Sequence, residues 1–344
     1  MDRPPRRVLV KEVNWLGDVI MSLPALRAVR RAFPEAHLAL LVKTELASFF
    51  DGAAWVDEVI PYRVTRGLGG IADRRGVIRT LRAGRYELAI LLPRSFEAAF
   101  WTTLARIPQR VGFATDGRGM MLTSKVPYTP ALFAGHQSGD YLHMLRATLG
   151  ITGDPNDYVP DVHAPHVAAA RAWLAARRRN RGPLIALAPA AAFGPAKEWP
   201  PDRYAALIDL LADRHQAECV LVGAPGERAR CEQVAAATRQ GALVAAGEHG
   251  VGESMALLTL CAGFAGNDSG AMHLAGALGV PTVGLYGSTR PQRTAPLGPR
   301  TKVVYHQIEC SPCMDRTCRF GHYECLKRIT VGEIADALVS LGAC

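Results

Sequence analysis

Charged and hydroxyl-bearing residues directly follow several apolar runs, where their types and spacing suit the binding of an anion. Asp268, Ser269 and Gly270 come after the apolar run 264–267 and before a run of small residues typical of a helix. Free backbone N–H groups, a hydroxyl and the positive end of a helix dipole together form an anion site. His273 lies one turn into this predicted helix, where it faces the anion or only packs. The alternative is an ordinary β-α-β unit in which Asp268 merely caps the helix.

Three further residues occupy similar positions. Asp18 follows the first apolar run, and its carboxylate is a candidate general base toward an acceptor hydroxyl. Lys197 lies in a loop with Gly and Pro, where its ammonium can meet a phosphate or a developing negative charge. Glu227 follows the apolar run 219–222 after a short Gly/Pro loop. In nucleotide-binding domains, a carboxylate at the end of such a strand can hold ribose hydroxyls. The simpler alternatives are helix caps for the two carboxylates and a solvated surface position for the lysine.

The elements that must position these residues follow from hydrophobic periodicity. Apolar runs typical of buried strands occupy residues 7–13, 38–42, 56–60, 88–92, 184–188, 219–222, 243–245, 264–267 and 282–286. Helical patterns between them include 19–33, 202–215, 227–237 and 254–261. Strands that alternate with helices predict parallel sheets, whose ligands bind beyond the carboxyl ends of the strands. Each candidate residue lies at such an end.

The same alternation starts twice, on either side of a proline-rich segment at 153–166. It therefore predicts an α/β protein with two Rossmann-like, doubly wound domains facing across a cleft. We assign residues 1–165 to an N-terminal domain and residues 166–329 to a C-terminal domain. Residues 330–344 form a final amphipathic helix, with Thr330 as its cap.

Composition narrows the classes of partner. The chain has 344 residues, 49% of them hydrophobic, and a formal net charge of +9, which suggests an acidic partner or only a solvated basic surface. The aromatic residues do not alternate with the basic runs, so we expect no nucleic-acid partner. No apolar run is long enough to span a bilayer, and the start of the chain lacks the pattern of a signal peptide. We therefore expect a cytoplasmic protein with reduced cysteines.

Common cofactor-binding motifs are missing. No complete Gly-x-Gly-x-x-Gly fingerprint follows a predicted strand, and no Gly-Lys-Ser/Thr phosphate loop occurs. These absences argue against a nicotinamide dehydrogenase and against a P-loop kinase. We therefore interpret a phosphate bound near residue 268 as part of a leaving group and not as the phosphate by which a protein binds a cofactor.

A cysteine cluster is the most distinctive local pattern. Cys310, Cys313, Cys318 and Cys325 follow one another at spacings that can wrap a metal, with His306 and His322 nearby. The usual zinc pattern has two separated Cys-x2-Cys pairs, and the second pair is absent here. Two interpretations stay open: a structural metal, or reduced cysteines that pack a loop.

Taken together, the motifs resemble those of family 9 glycosyltransferases, the lipopolysaccharide heptosyltransferases. The similar segments are NWLGDVIMSLPALRAVRRAFP, LLPRSFEAAF with IPQRVGF, AAFGPAKEWP, and GNDSGAMHLAGALGVPTVGLYGSTRP. The cysteine pattern with GHYEC is also similar to one found in members of that family. The resemblance extends from residue 14 to beyond residue 320, nearly the whole chain.

The resemblance implies a GT-B enzyme that inverts the configuration at the transferred sugar. The implied donor is ADP-L-glycero-β-D-manno-heptose, so residues 166–329 would be the nucleotide-sugar-binding domain. The implied acceptor is the first heptose of the Kdo-lipid A inner core, and residues 1–165 would be the acceptor-binding domain. Asp18 would be the base, Lys197 would neutralise the departing ADP, and Glu227 would hold the ribose. Asp268, Ser269 and Gly270 would hold the diphosphate and the donor sugar. The resemblance implies no catalytic metal or other cofactor, and a location on the cytoplasmic face of the inner membrane.

One segment departs from the family pattern. The loop that typically reads Pro-Gly-Ala-Glu before Phe-Gly-Pro-Ala-Lys is Pro189-Ala190-Ala191-Ala192 here, so a carboxylate beside the donor is lost. This change affects the prediction of the transferred sugar and of the acceptor more than the prediction of the fold. The alternatives are a family 9 transferase with another heptose acceptor, a non-catalytic nucleotide-sugar or anionic-glycan binding protein, and a zinc-dependent nucleic-acid protein.

Overall fold

The structure, a computed structural model, describes residues 3–65, 67 and 69–344, with the backbone alone at Phe133. The chain divides into two compact units, Met1–Asp161 and Val162–Cys344. The boundary between them falls inside the proline-rich segment 153–166. Among the described helices, none combines the length and apolarity that a membrane span requires.

Alternating strands and helices build the first unit. Its strands are β1 (Arg7–Lys11), β2 (His37–Lys43), β3 (Glu58–Tyr62), β4 (Leu88–Leu91), β5 (Gln109–Phe113) and β6 (Ser124–Val126). Its helices are α1 (Leu16–Ala32), α2 (Gly69–Ala83), α3 (Phe96–Leu104), α4 (Pro130–Ala134) and α5 (Gln137–Leu149). The described strands pair in parallel in the order β3-β2-β1-β4-β5-β6.

The second unit repeats this plan. Its strands are β7 (Leu184–Ala188), β8 (Glu218–Leu221), β9 (Leu243–Val244), β10 (Gly263–Asn267), β11 (Thr282–Tyr286) and β12 (Thr301–Tyr305). Its helices are α6 (Ala164–Ala175), α7 (Pro201–His215), α8 (Arg228–Ala237), α9 (Val251–Thr259), α10 (Gly270–Ala277), α11 (Pro291–Thr294), α12 (Glu324–Lys327) and α13 (Val331–Ser340). The strand order β12-β11-β10-β7-β8-β9 is again entirely parallel. The predicted class of two Rossmann-like, doubly wound α/β sheets is confirmed.

Both sheets have a topological switch point, where the chain changes the direction in which it adds strands. In the first sheet it lies between β1 and β4, and in the second it lies between β7 and β10. The helices that follow two such strands diverge to opposite faces, which opens a crevice at the carboxyl ends. The central strands are buried along their whole length, for example at Val8, Leu9 and Val10, as expected for a sheet covered on both faces.

Several element boundaries differ from the predicted ones. The helix expected from residue 19 begins at Leu16, and the strand expected at 56–60 is Glu58–Tyr62. Strands β5, β6 and β12 were not predicted. They are less apolar or only partly buried, and β6 has three residues. Such short or half-buried segments carry little periodicity.

Two glycines let the segment before β12 lie against α10. A Cβ atom on Gly276 would come within 2.7 Å of the Leu297 carbonyl oxygen. A Cβ atom on Gly298, which has a φ of +135°, would come within 2.2 Å of the Gly276 carbonyl oxygen. The close approach therefore requires glycine at both positions, and it fixes the helix that begins at the candidate anion site.

The end of the chain offers a test of the predicted helix cap. Thr330 caps α13: its hydroxyl accepts the Glu333 N–H at 3.2 Å, and the Glu333 carboxylate accepts the Thr330 N–H at 2.7 Å. We expect Thr330→Ala to lower the free energy of unfolding by about 1 kcal/mol, measured by urea denaturation with circular dichroism. Thr80→Ala, at an exposed position inside α2, is the control and should cost nothing. Equal effects of the two substitutions would contradict the assigned cap.

Candidate active site

In the second unit, the candidate residues meet at the switch point. Lys197 lies in a short 3-10 turn, Pro195–Lys197, in the loop that follows β7. Asp268 follows β10, the strand next to β7. The Lys197 Nζ atom donates a hydrogen bond to Asp268 Oδ2 at 2.6 Å, and both side chains are largely buried. The two residues that the sequence placed at separate strand ends therefore form one ion pair.

The Asp268 carboxylate has three neighbours that stabilise its charge. Besides Lys197, the Thr289 hydroxyl donates to Oδ2 at 2.6 Å, and His273 Nε2 lies 3.6 Å from Oδ1. Burial alone would raise the pKa of Asp268, but His273 and Lys197 together hold it well below its usual range. The aspartate is thus ionised and does not cap α10, since the N-cap residue is Ser269. The helix-cap alternative for Asp268 is wrong.

Buried polar atoms that lack hydrogen-bond partners among the described residues occur next to Asp268 and Thr289 in the sequence. The Ser269 and Ser288 hydroxyls are buried and have no hydrogen-bond partner among the described residues. Ser269 precedes the first turn of α10, whose N–H groups have no partner within the helix. A buried polar group without a partner is costly, so these atoms are suited to receive a polar ligand. His273 Nδ1 is also unpartnered within the described part of the chain.

A buried tryptophan anchors the lysine loop. The Trp199 side chain is almost fully buried, and its indole N–H donates to the Ile329 carbonyl oxygen at 3.1 Å. Its backbone N–H donates to Asn267 Oδ1 at 2.9 Å, so the last residue of β10 holds the loop that follows β7. Trp199 therefore fixes the course of this loop.

Glu227 lies beside the same loop, in the 3-10 turn Pro225–Glu227. Its carboxylate accepts the Ala224 N–H at 2.7 Å and makes no side-chain cap bond to α8. Burial raises the pKa of Glu227, while the N–H groups of Ala224 and Ala192 oppose that rise. The contact with Ala192 brings Glu227 to the segment that departs from the family pattern.

In the first unit, Asp18 lines a cavity of about 250 Å³ at the carboxyl ends of β1 and β4. It lies in the first turn of α1, whose N-cap residue is Trp15. Gln137 Nε2 donates to Asp18 Oδ1 at 2.8 Å and to the Tyr141 hydroxyl at 3.1 Å. The carboxylate is therefore oriented by α5, the last helix of the first unit.

The rest of the cavity combines a cation with hydrogen-bonding groups. The Arg94 guanidinium lies 4.4 Å from the centre of the Tyr128 ring, and the Tyr128 hydroxyl donates to Asp140 Oδ2 at 2.8 Å. Asn14 also lines the cavity, and its Oδ1 accepts from the Tyr62 hydroxyl at 2.8 Å. The carboxylates, amides and hydroxyls of this cavity suit a polyhydroxylated ligand, and the Arg94 guanidinium could pair with an anionic group on it.

Two buried ionisable residues, Lys11 and Glu12, directly precede the cavity-lining residues Val13 and Asn14. Burial lowers the pKa of Lys11 to about 7 and raises the pKa of Glu12 to about 7. Lys11 Nζ donates to Asn14 Oδ1 at 3.4 Å, and Glu12 Oε1 accepts the Val13 N–H at 2.7 Å. Both side chains therefore hold the loop that leads from β1 to Asp18.

The cysteine motif occupies a third position. Cys310, Cys313, Cys318 and Cys325 line one small cavity in the second unit together with His322. The other histidine near the motif, His306, does not line this cavity, and its Nε2 atom lies 2.7 Å from Glu333 Oε1. All eight cysteines are free thiols in the structure.

Residues 74–324 match the family model described as Glycosyltransferase family 9 (heptosyltransferase). The chain belongs to glycosyltransferase family 9. The predicted family and the predicted enzyme class are thus confirmed. The resemblance noted in the motifs was therefore sufficient to identify the family.

Individual relatives extend the match over nearly the whole chain. It is 28% identical to lipopolysaccharide heptosyltransferase 2 of Escherichia coli K12, covering 97% of this chain and 98% of that protein. It is 27% identical to lipooligosaccharide heptosyltransferase 2 of Haemophilus ducreyi, with 98% and 100% covered. The solved E. coli ADP-heptose lipopolysaccharide heptosyltransferase II is 26% identical, with a TM-score of 0.82 and 97% and 98% coverage. A family 9 structure from Veillonella parvula, 23% identical, has the same fold, with a TM-score of 0.86 and 98% and 97% coverage.

Several residues of the two candidate sites were not predicted from the sequence. Thr289 follows β11, so the rule that placed the other candidates at strand ends could have found it. Gln137 and Tyr141 had no such signal, since they lie within α5 and reach Asp18 only in the folded unit. Asn267 was seen as the end of a strand, but its role as the anchor of Trp199 was not.

The buried ion pair predicts a stability effect that depends on pH. Lys197→Met leaves the Asp268 carboxylate buried without its cation, so we expect the free energy of unfolding to fall by about 3 kcal/mol at pH 7. The pKa of Asp268 is lowered in the folded protein, so its charge stabilises the fold above about pH 4 and less as the pH falls further. The difference from the wild type should therefore shrink below about pH 4.

Urea denaturation over this pH range measures the effect. The double variant Lys197→Met/Asp268→Asn carries neither charge and should recover most of the loss at pH 7. Lys302→Met, at an exposed position in β12, is the matched control and should leave the stability unchanged. A pH-independent loss, or no recovery in the double variant, would mean that the ion pair does not determine the charge state of Asp268.

Proposed function

We propose that this glycosyltransferase moves L-glycero-D-manno-heptose from ADP-heptose to the first heptose of the lipopolysaccharide inner core, on Kdo-lipid A. The transfer proceeds with inversion at the sugar carbon. The names of the relatives support the donor, since the solved E. coli relative is an ADP-heptose enzyme. The curated relatives named above are heptosyltransferases numbered 2, which supports a heptose-bearing acceptor.

The observation that carries the proposal is the convergence of Lys197, Ser269 and the N-terminus of α10 at one switch point. A departing ADP develops negative charge on its terminal phosphate. The Lys197 ammonium and the N–H groups of α10 would offset this charge, and the unpartnered Ser269 hydroxyl would donate to a phosphate oxygen. Asp268 would hold Lys197 in position, since a carboxylate itself repels a diphosphate. Lysine and helix dipole thus supply the positive charge that a divalent metal gives in other transferases.

Donor selectivity rests on the neighbouring segments of the second unit. Glu227 would accept hydrogen bonds from the ribose hydroxyls, and His273 would face the phosphates from within α10. The segment Pro189-Ala190-Ala191-Ala192 offers no carboxylate of its own, but the Glu227 carboxylate contacts the Ala192 N–H. The Glu198 carboxylate also reaches this segment, since its Oε1 accepts the Ala191 N–H at 3.3 Å. Glu227 and Glu198 would therefore supply carboxylates beside the donor.

Asp18 would act as the base on the acceptor. Its carboxylate takes the proton from the acceptor hydroxyl as that oxygen bonds to the anomeric carbon and the bond to ADP breaks. Gln137 keeps one carboxylate oxygen oriented by its hydrogen bond of 2.8 Å. Arg94, exposed at the same cavity, would pair with a phosphate or carboxylate of the acceptor.

An apolar stripe on α3 supports a location at a membrane surface. Phe96, Phe100 and Leu104 recur at every fourth residue and are exposed by 41%, 39% and 40%. The Phe96 and Phe100 rings stack with their centres 5.8 Å apart. Exposed apolar side chains on one helix face usually mark a contact surface. Since Ser95 lines the acceptor cavity, the stripe begins next to the site where a lipid-linked sugar would bind.

Arginines lie beside this stripe. Arg75, Arg79 and Arg82 recur along α2 at exposed positions, and the Arg82 guanidinium donates to the Leu104 carbonyl oxygen at 2.6 Å. Basic side chains next to exposed aromatic rings match the anionic head groups and acyl boundary of a bilayer. We therefore propose that the enzyme is peripheral, on the cytoplasmic face of the inner membrane.

The reaction itself tests the proposal. Purified enzyme is incubated with ADP-heptose and Kdo-lipid A that bears one heptose, and the product is analysed by mass spectrometry. We expect a gain of one heptose, with the anomeric configuration opposite to that of the donor by NMR. A product only with Kdo-lipid A that lacks heptose would assign the enzyme to another acceptor in the family.

Asp18→Asn should separate binding from catalysis. The amide keeps an oxygen for the Gln137 hydrogen bond but cannot accept the proton. We expect the rate of transfer to fall by ~10²–10⁴-fold, with the affinity for ADP unchanged by calorimetry. Asp202→Asn, in the first turn of α7, is the control and should retain full activity. Undiminished transfer by the Asp18 variant would show that another group is the base.

Membrane contact has its own test. We expect the double substitution Phe96→Ser/Phe100→Ser to weaken binding to vesicles that contain anionic lipid by about thirty-fold, because two rings that each bury apolar surface worth on the order of 1 kcal/mol together contribute about 2 kcal/mol. Vesicle flotation measures the bound fraction. Val339→Ser removes an apolar side chain of similar exposure, 41%, from α13 and should not change it. Equal binding by all three proteins would remove the stripe as the contact surface.

A further inference from the structure

The cysteine cluster, Cys310, Cys313, Cys318 and Cys325, has no part in the proposed transfer. Its four side chains line one cavity of about 20 Å³ in the segment between β12 and α12. A volume of this size holds one water-sized particle. The chain also has lone cysteines in its apolar core, such as Cys219 and Cys231, and these pack as small apolar residues. The cluster differs from them because four sulfur atoms share one cavity.

The backbone turns tightly at Cys318, where the Gly321 N–H donates to the Cys318 carbonyl oxygen at 3.1 Å. Cys318 and His322 thereby both line the cavity that Cys310, Cys313 and Cys325 also line. Four cysteine sulfurs in one cavity match the ligand set of a structural metal site, in which the sulfurs bind as thiolates.

His322 lies beside the cluster as a hydrogen-bonding partner. Its Nδ1 accepts the Glu324 N–H at 3.0 Å, so a neutral ring carries its proton on Nε2. That Nε2 atom lies 4.0 Å from the Cys310 sulfur. A protonated ring nitrogen donates to a thiolate and does not bind a metal. The four sulfurs are thus the candidate ligands, with His322 outside them.

We propose that Cys310, Cys313, Cys318 and Cys325 bind one Zn²⁺ ion in a tetrahedral four-thiolate site. Zinc fits because it favours thiolate ligands, takes four of them in structural sites and has no redox chemistry. Each sulfur loses its proton to solvent as its bond to zinc forms. Among the described residues, no three of these ligand atoms lie within 4.8 Å of one another. Binding therefore draws the sulfurs inward across the cavity.

The segment that would close around zinc packs on the loop that carries Lys197. The Arg316 carbonyl oxygen accepts the Ala196 N–H at 3.1 Å, and the Arg316 guanidinium donates to the Phe193 carbonyl oxygen at 2.7 Å. The Met314 N–H donates to the Ser288 carbonyl oxygen at 2.7 Å, next to Thr289. Zinc would thus stabilise the two segments that carry Lys197 and Thr289, the hydrogen-bond donors to Asp268. This consequence rests on the proposed function, whereas the binding of zinc does not.

Metal content is the first test. The full chain is purified without added metal or chelator and analysed by inductively coupled plasma mass spectrometry. We expect close to one zinc per chain, and a loss of most of it in Cys313→Ser and in Cys318→Ser. Cys344→Ser, at a half-buried thiol outside the cluster, is the matched control and should keep its zinc. Wild-type protein that neither contains zinc nor takes it up from Zn²⁺ solution would overturn the proposal.

Cobalt identifies the ligands even where a variant folds poorly. Zinc is removed with a mercurial reagent and replaced by Co²⁺ in the wild type, in Cys344→Ser and in His322→Ala. All three should show the sulfur-to-cobalt charge-transfer and visible bands of a tetrahedral four-thiolate site. A spectrum with fewer sulfur ligands, or one that changes in His322→Ala because a nitrogen ligand is lost, would overturn the four-thiolate assignment.

The affinity for ADP then tests the bracing of the lysine loop. We expect zinc-free wild type, restored to a reducing buffer, to bind ADP several-fold more weakly, with recovery when Zn²⁺ is returned. Unchanged affinity would remove the link to the lysine loop but leave the metal site. Zinc binding without any heptose transfer would instead count against the proposed function alone, so the two failures are distinguishable.

Discussion

A lysine and an aspartate that are both withdrawn from water form the interaction on which the second unit depends. Neither charge is stable there alone, because burial of an unpaired ion costs several kcal/mol. Together with Thr289 and His273, the pair keeps Asp268 ionised and Lys197 in one position. A flexible surface lysine would lose side-chain entropy each time it met a phosphate. The pair removes that cost in advance, so in the proposed transfer the Lys197 ammonium would already lie where the negative charge develops.

The two units reach comparable sites by the same topology. Each sheet reverses its winding between its first and fourth strands, and each candidate residue leaves the carboxyl end of a strand at or next to that point. The first unit places two carboxylates and an arginine in an open cavity, whereas the second unit pairs a lysine with a carboxylate, both largely buried, beside a helix N-terminus. One backbone plan thus supports two different charge arrangements, as expected when function depends on the loops placed on a common scaffold.

Sequence predicted the location of these residues but not their contacts. Asp18, Lys197 and Asp268 could be placed at strand ends because strands and the loops after them are local features. The partners lie far away in the chain: Lys197 and Asp268 are 71 residues apart, and Gln137 is 119 residues from Asp18. No local periodicity encodes such pairs. The helix-cap alternative for Asp268 looked equally good for this reason, since a cap is local and the partner lysine is not.

The Asn267 side chain joins two neighbouring strands at their ends. Its Oδ1 accepts both the Trp199 N–H and the Tyr204 hydroxyl, at 2.9 and 3.0 Å. The protein's own hydrogen bonds therefore tie the loop after β7 to the strand before the candidate anion site. In the proposed transfer, such a loop would not have to search for its active geometry. Little energy would then go into reorganising the protein dipoles, so more of the donor's binding energy would remain for the reacting bond.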